Sequence, residues 1–375
     1  MMKPLRRFAP LALALLAAPP VALADTIYTI DGKTIEDVEI VNETLTHVYY
    51  RQKGKTEQSV AADTVLRIEF SKLPKRVDEA ETMISDGQLQ GGVEALQLYV
   101  DGILAGQQKE KMAWAPAYAL RRIIELKQSL GDWAGVVSSA DQLIKSFPDS
   151  RYLPPAYIAK AEALRYQDKR PAAQEALKEF RALAESKGLT GRWKLEAELS
   201  EALSDPSLTG VKKRDRMIEI AARAGNEHPT VRNRARVAEG ESYIEGEAKE
   251  FAKARAIFEK IAADPKADDA TLAGVYTGLG DCLFHDAVEK LRSKQESSKQ
   301  DAEQLLKEAV KRYMRVVVLH KDQTRYVSKA MFFAGRAFDV MEGGDARANA
   351  QKMYRAVISN YPRTDWAAEA RNFKR

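Results

Sequence analysis

Two different hydrophobic patterns divide this chain. Between residues 26 and 70 apolar and polar side chains alternate, as where Leu66, Ile68 and Phe70 are separated by Arg67 and Glu69. An alternation of period two is typical of strands with one buried face. We expect five short strands that form a small, bent, barrel-like module over residues 25–70. Residues 71–75 form the predicted linker, and the pattern becomes helical after them.

The helical part repeats a small residue followed four positions later by a large one, and the two positions lie on one helix face. The pairs are Ala95/Tyr99, Ala176/Phe180, Ala254/Phe258, Ala309/Tyr313 and Ala350/Tyr354, with weaker versions at Val136/Ala140 and Arg214/Ile218. A small residue allows close approach of a neighbouring helix, and the aromatic fills the space beside it. Because one helix pair cannot bury its apolar face alone, the pattern predicts a stack of seven pairs.

The spacing of these pairs is close to 40 residues except at one step of 55 residues. The excess falls near the polar tract 291–300. We expect this tract either to extend a helix pair into solvent or to loop out.

The first helix of several pairs carries a glycine followed three residues later by a large side chain, as at Gly240/Tyr243, Gly280/Leu283 and Gly335/Phe338. With these features, and with the ending "YRAVISNYPRTDWAAEA", the chain resembles the tetratricopeptide-repeat family, in particular its periplasmic outer-membrane assembly and cell-division adaptors. The resemblance implies a right-handed α-solenoid of about seven helix pairs over residues 76–375. It also implies a binding scaffold without enzymatic activity.

The β module over residues 25–70 is similar to the Sm-like or SH3-like barrels of some exported bacterial proteins.

Near residue 370, an apolar face recurs at helical spacing beside a polar face. Its residues are Trp366, Ala367, Ala370 and Phe373. We expect this segment to be a capping helix that closes the stack.

The first 24 residues are typical of a secretory signal. Lys3, Arg6 and Arg7 precede an apolar run over residues 11–18, and Ala22-Leu23-Ala24 is a small-residue cleavage site. We therefore expect a periplasmic or secreted protein that begins at Asp25. The only cysteine is Cys282, so the sequence offers no lipid-anchor cysteine near the cleavage site and no intramolecular disulfide.

Removing the three signal cations leaves 59 − 3 = 56 basic against 54 acidic residues. A nearly neutral chain gives no general argument for binding nucleic acid. The sequence contains no H-E-x-x-H, G-x-S-x-G, C-x-x-C or G-x-G-x-x-G motif, and it suggests no cofactor. Cys282 and His285 are spaced so that both could face one metal, but a lone cysteine is typically a small core residue.

The candidate binding residues are two basic clusters and two tryptophans. The clusters flank one repeat boundary and would grip an acidic peptide or anionic polymer, unless they are ordinary solvated faces; they are Lys212, Lys213, Arg214 and Arg216, then Arg232, Arg234 and Arg236. Trp114 and Trp193 begin first helices and are either groove anchors or, more commonly, core residues.

Three functional hypotheses follow. The first is an exported, non-catalytic adaptor in the cell envelope that holds a protein segment in the groove of the array. The second is a structural envelope component that associates with copies of itself. The third is a cryptic enzyme or metal-binding protein.

Overall fold

The computed structural model describes residues 24–107, 109–245, 249–265, 267–292, 295–321, 323–341 and 343–373. The predicted signal segment lies outside these ranges except for Ala24, so its assignment stays a prediction. Within them, a small antiparallel sheet is followed by a long series of helices.

The sheet contains five antiparallel strands in the order β4-β3-β2-β1-β5. The strands are β1 (Asp25–Thr29), β2 (Thr34–Glu43), β3 (His47–Gln52), β4 (Gln58–Ala61) and β5 (Val65–Glu69). Gly32 and Gly54 have φ values of 83° and 76° and form the turns of the two predicted hairpins. The number and position of the strands agree with the sequence pattern, and β4 and β5 form the two edges.

The expected alternation along β5 is wrong at Leu66. This residue was predicted to be buried, but it is 51% exposed, while Val65 is 5% exposed. The reason is a bulge, because Thr29 pairs with Val65 and the adjacent Tyr28 pairs with Arg67. One extra residue in β5 moves the following side chains to the other face.

The helices of the described chain form seven pairs and one final helix. They are α1 (Lys75–Ser85) and α2 (Leu89–Leu104); α3 (Ala115–Ser129) and α4 (Trp133–Ser146); α5 (Leu153–Tyr166) and α6 (Arg170–Ser186); α7 (Gly191–Ser204) and α8 (Gly210–Ala224); α9 (Pro229–Glu245) and α10 (Phe251–Ala262); α11 (Asp269–Leu291) and α12 (Glu296–Leu319); α13 (Thr324–Val340) and α14 (Gly344–Asn360); and α15 (Asp365–Phe373). Each of the seven predicted signatures lies on a second helix. The predicted fold class, a mostly helical repeat array behind a small β module, is confirmed.

The packing explains the glycines and aromatics of the sequence pattern. The fully buried ring of Tyr313 on α12 lies against Gly280 of α11, where a Cβ atom would be 2.4 Å from the ring. In the last pair, Tyr354 lies in the same way against Gly335, at 2.6 Å. The first helix therefore has a glycine at this position, because any side chain there would clash with the buried aromatic ring of the second helix.

The weak signature at Arg214/Ile218 is assigned to the correct helix but to the wrong face. Ile218 is 39% exposed, and Arg214 is only partly buried. The buried face of α8 runs instead through Met217, Ile220 and Ala221. This helix has no aromatic residue on its buried face, so the spacing of aromatic residues could not show which face is buried.

The described residues of the polar tract 291–300 extend a helix pair, which is one of the two expected outcomes. The tract contains the end of α11 and the beginning of α12, which have 23 and 24 residues. Residues 293 and 294 lie outside the described ranges. Despite these lengths, no described helix is both long and apolar enough to span a bilayer.

The β module packs directly on the early repeats. Glu43 at the end of β2 pairs with Arg151 in the connection before α5, with side-chain exposures of 1% and 11%. Arg192 at the start of α7 donates from Nη1 to the carbonyl oxygen of Asp63 at 2.6 Å. A single hydrophobic cluster extends from Ile27 in the sheet into the helices. The module therefore covers the early part of the array and shares its core.

The final helix α15 has the amphipathic arrangement that the sequence predicts for a cap. Ala367 and Ala370 are fully buried. The rings of Trp366 and Phe373 lie 5.5 and 5.9 Å from the ring of Phe332 on α13. The apolar side of the last pair is therefore covered by this helix.

Candidate functional site

The first helices of successive pairs form the inner layer of the array. Contacts run from α3 to α5, α7, α9, α11 and α13 in turn, and α13 also contacts α3. Stacked repeats rotate slightly relative to each other, and the rotation accumulates along the array. Here it brings the last pair back to the second and third pairs.

Among the described residues, two ion pairs join the late and early repeats. Nη1 of Arg325 on α13 donates to Oε1 of Glu162 on α5 at 2.6 Å. Nη1 of Arg363, between α14 and α15, lies 3.3 Å from Oδ1 of Asp132, which caps α4. Beside it, Gly131 has a φ of 69°, and a Cβ atom there would be 3.0 Å from the backbone of Arg363. These closing contacts hold the last part of the array against the second and third pairs.

A cavity of about 1370 Å³ lies between the early and late repeats. One wall is formed by the α1–α2 turn and by the second half of α3, and the opposite wall by the starts of α11 and α13 and the end of α14. Small-molecule sites typically occupy about 300–1,000 Å³. The cavity is therefore large enough for a segment of a macromolecule.

Most charged side chains that line the cavity are paired inside the protein. Arg122 donates from Nε and Nη2 to both carboxylate oxygens of Glu81, at 2.7 and 2.9 Å, and from Nη1 to Glu125 at 2.8 Å. Arg121 lies 2.5 Å from Glu125, and Arg234 pairs with Glu196. These charges therefore compensate each other, and little net charge is left for a ligand.

The neutral polar side chains of the cavity are arranged differently. Within the described part of the chain, the side-chain amides of Gln88, Gln128, Gln323 and Asn360 have no hydrogen-bond partner in the protein. Thr271 also lines the cavity, but its hydroxyl oxygen is buried and has no hydrogen-bond partner among the described residues. The cavity thus offers neutral donors and acceptors.

The two tryptophans named by the sequence lie elsewhere. Trp114 is 4% exposed, and its ring stacks on Phe70 with centroids 4.0 Å apart. It therefore belongs to the joint between the β module and α3. Trp193 is half-buried beside Phe180, and the guanidinium of Arg192 lies 4.6 Å above its ring. Both residues support the packing of the early repeats.

The two basic clusters lie on the contacting helices α8 and α9. Lys212 is exposed. The other six cations have carboxylate partners: Lys213 with Glu245, Arg214 with Glu250, Arg216 with Glu198 and Glu219, Arg232 with Asp264, Arg234 with Glu196, and Arg236 with Glu239. Their charge is thus largely compensated, and a grip on an acidic peptide at this boundary stays a prediction.

Cys282 is fully buried in α11, as expected for a core residue. Burial, assisted by the charge of Asp281, raises the pKa of its thiol to about 12. Burial likewise lowers the pKa of His285, whose ring stacks on Phe251 with centroids 5.8 Å apart. Among the described residues, no group of three or more His, Cys, Asp or Glu side chains has an arrangement suited to a metal ion.

We expect Cys282 to react very slowly with a thiol reagent in the native protein and rapidly after denaturation. Only the thiolate is nucleophilic, and a thiol with a raised pKa is almost entirely protonated near neutral pH. Mass spectrometry of samples alkylated with and without urea measures both rates. Equal rates in the two states would show that the side chain is accessible and that the packing around Gly280 is wrong.

Comparisons with known proteins identify no family for this chain. No family model matches it, and no curated protein matches it. Among solved structures, the crystal structure of the apo form of RapI matches with 12% sequence identity over 80% of each chain and a TM-score of 0.36. Similarity at this level carries no conclusion about function. The fold described above defines a helical repeat protein with an N-terminal β module.

Proposed function

We propose that this protein is a non-catalytic interaction scaffold of the cell envelope that holds a polypeptide segment in the cavity between its early and late repeats. The observation that supports this proposal most directly is the cavity itself. It is built by several first helices, and its size suits a chain segment better than a small metabolite. Inner surfaces of helical repeat arrays are extended and concave, which suits them to this role.

Two further observations support a protein partner rather than nucleic acid. The predicted mature chain is nearly neutral, and the arginines that line the cavity have carboxylate partners. Proteins that bind nucleic acid instead present uncompensated cations to the phosphates.

The β module shares a core with the early repeats, which supports a role as the cap of that end of the array.

Site-specific photocross-linking tests the proposal. A photoreactive side chain is placed at Gln128 or Asn360 in the cavity and, as a matched control, at exposed Lys178 on the outer helix α6. We expect one polypeptide to be captured from both cavity positions in the native envelope and not from the control position. Capture from Lys178 alone would contradict the proposal, and capture of this same chain would indicate self-association instead.

The proposed location has a separate test. The carboxylate of Asp25 accepts hydrogen bonds from the backbone nitrogens of Ile40 and Ser71, at 3.0 and 2.8 Å, so this residue belongs to the folded sheet. We expect the exported protein to begin at Asp25, after removal of the signal segment. N-terminal sequencing of the protein from the periplasm or medium should give Asp-Thr-Ile-Tyr. Recovery of an exported chain that begins at Met1 would contradict cleavage.

A further inference from the structure

We propose that the cavity recognises the main chain of an extended polypeptide segment through neutral side-chain amides. This inference rests on the proposed function and adds the chemistry of the ligand. Its starting point is a contrast among the described residues. The charged side chains of the cavity are mostly paired, whereas the amides of Gln88, Gln128, Gln323 and Asn360, which are partly or fully exposed, are not.

The positions of the amides suit a ligand that lies between two walls. Gln88 belongs to the α1–α2 turn and Gln128 to α3, both in the early repeats. Gln323 immediately precedes α13 and Asn360 ends α14, both in the last pair. A segment in the cavity would therefore meet amides from both sides.

An extended peptide presents N–H and C=O groups alternately along both of its edges. A side-chain amide is both a donor and an acceptor, so each of these glutamines and the asparagine could satisfy either group. Removing main-chain groups from water without replacing their hydrogen bonds is costly, and the amides would supply the replacement.

The arginines of this cavity give an acidic ligand no advantage over a neutral one. To bind its carboxylates, Arg122 would have to release Glu81, with which it forms two hydrogen bonds, and Arg325 would have to release Glu162. Breaking such pairs leaves a carboxylate without its partner. Among the lining groups, Lys321 and Glu241 carry opposite charges, so together they favour neither sign.

The test uses the full mature chain and end-blocked synthetic peptides of about twelve residues, which extend over roughly 40 Å. The neutral probe contains only serine, threonine and valine. Matched probes carry glutamates or lysines at alternate positions, and another is the neutral probe with N-methylated alternate residues. An uncharged oligosaccharide of similar length is the probe from a different class of macromolecule.

We expect the neutral, acidic and basic peptides to bind with affinities within about threefold of each other, because the paired arginines and carboxylates favour neither sign. Affinity for the neutral peptide should change by less than about threefold between about 0.05 and 0.5 M salt, since neutral hydrogen bonds are little screened. N-methylation removes N–H donors and should weaken binding by at least about tenfold.

The matching variants are Gln128→Met and Asn360→Leu, which keep the side-chain size and remove the amide. Each should weaken binding of the neutral peptide several-fold, whereas Lys178→Met, on the outer helix α6, should not. All three side chains are partly or fully exposed, so circular dichroism should show an intact fold.

The outcomes separate this inference from the proposed function. Selective binding of the acidic or basic peptide with strong salt dependence would overturn main-chain recognition while keeping a polypeptide ligand. Binding of the N-methylated peptide as tightly as the neutral peptide would also overturn main-chain recognition while keeping a polypeptide ligand. Binding of the oligosaccharide but of no peptide would overturn both proposals.

Discussion

Replacing Arg151 with methionine is expected to lower the free energy of unfolding by about 3–5 kcal/mol. The guanidinium of Arg151 pairs with Glu43, whose side chain is only 1% exposed. The other carboxylate oxygen of Glu43, Oε1, is buried and has no hydrogen-bond partner in the part of the chain that the structure describes. Without Arg151 the carboxylate would therefore be left buried and uncompensated, at the contact between the β module and the helices.

Urea unfolding followed by circular dichroism measures this effect, and hydrogen exchange shows whether the β module is released first. The matched control is Arg67→Met, which breaks an ion pair with Glu69 whose side chains are 51% and 56% exposed. Because solvent screens that exposed pair, its loss should change stability little. The double variant Glu43→Met with Arg151→Met removes both charges and should recover most of the lost stability. Similar losses of unfolding free energy for Arg151→Met and Arg67→Met would contradict the special contribution of the buried Arg151–Glu43 pair.

The helix pairs could be predicted because their signal is local. Ala309 and Tyr313 are four residues apart on one helix, and the glycine that receives the aromatic ring also belongs to a recognisable local pattern. Where that signal is weak, as at Arg214 and Ile218, the helix was still found from its spacing. Its buried face was assigned wrongly, because no aromatic side chain marked it.

The cavity could not be predicted, because it depends on contacts between distant parts of the chain. Arg325 meets Glu162 only after the small rotations of several repeats have accumulated. The amides of Gln128 and Asn360 lie near helix ends, where polar residues are common, so their types carry no signal. The sequence likewise showed the cations of α8 and α9 without their partners. Arg234, for example, pairs with Glu196 on another helix.

The role of Trp114 was left open by the sequence for a similar reason. An aromatic at the start of a helix suits a groove as well as a core. Its stacking on Phe70 follows from the docking of the β module against α3, and no local pattern encodes that contact.

Removing α15 by ending the chain after Thr364 is expected to destabilise the late repeats by at least about 3 kcal/mol, the loss typical for truncating one large buried aromatic. This truncation keeps Arg363 and its pair with Asp132, so it tests the cap separately from the closing contacts. It would expose the side of Phe332 that Trp366 and Phe373 now cover. An uncovered apolar end also promotes aggregation, because terminal repeats need a polar outer face.

Thermal unfolding and light scattering of the truncated and full-length proteins measure both effects. Trp366→Ala in the intact chain should reproduce part of the loss, whereas Glu369→Ala, on the exposed face of the same helix, should change stability by less than about 0.5 kcal/mol. The β module lies at the other end of the sequence and packs on early repeats, so its hydrogen exchange should change little. If the truncated protein unfolds like the full-length chain but no longer cross-links its partner from Asn360, α15 is a binding element rather than a structural cap. Loss of stability with retained cross-linking would instead establish the cap, because only the packing against Phe332 would have been removed.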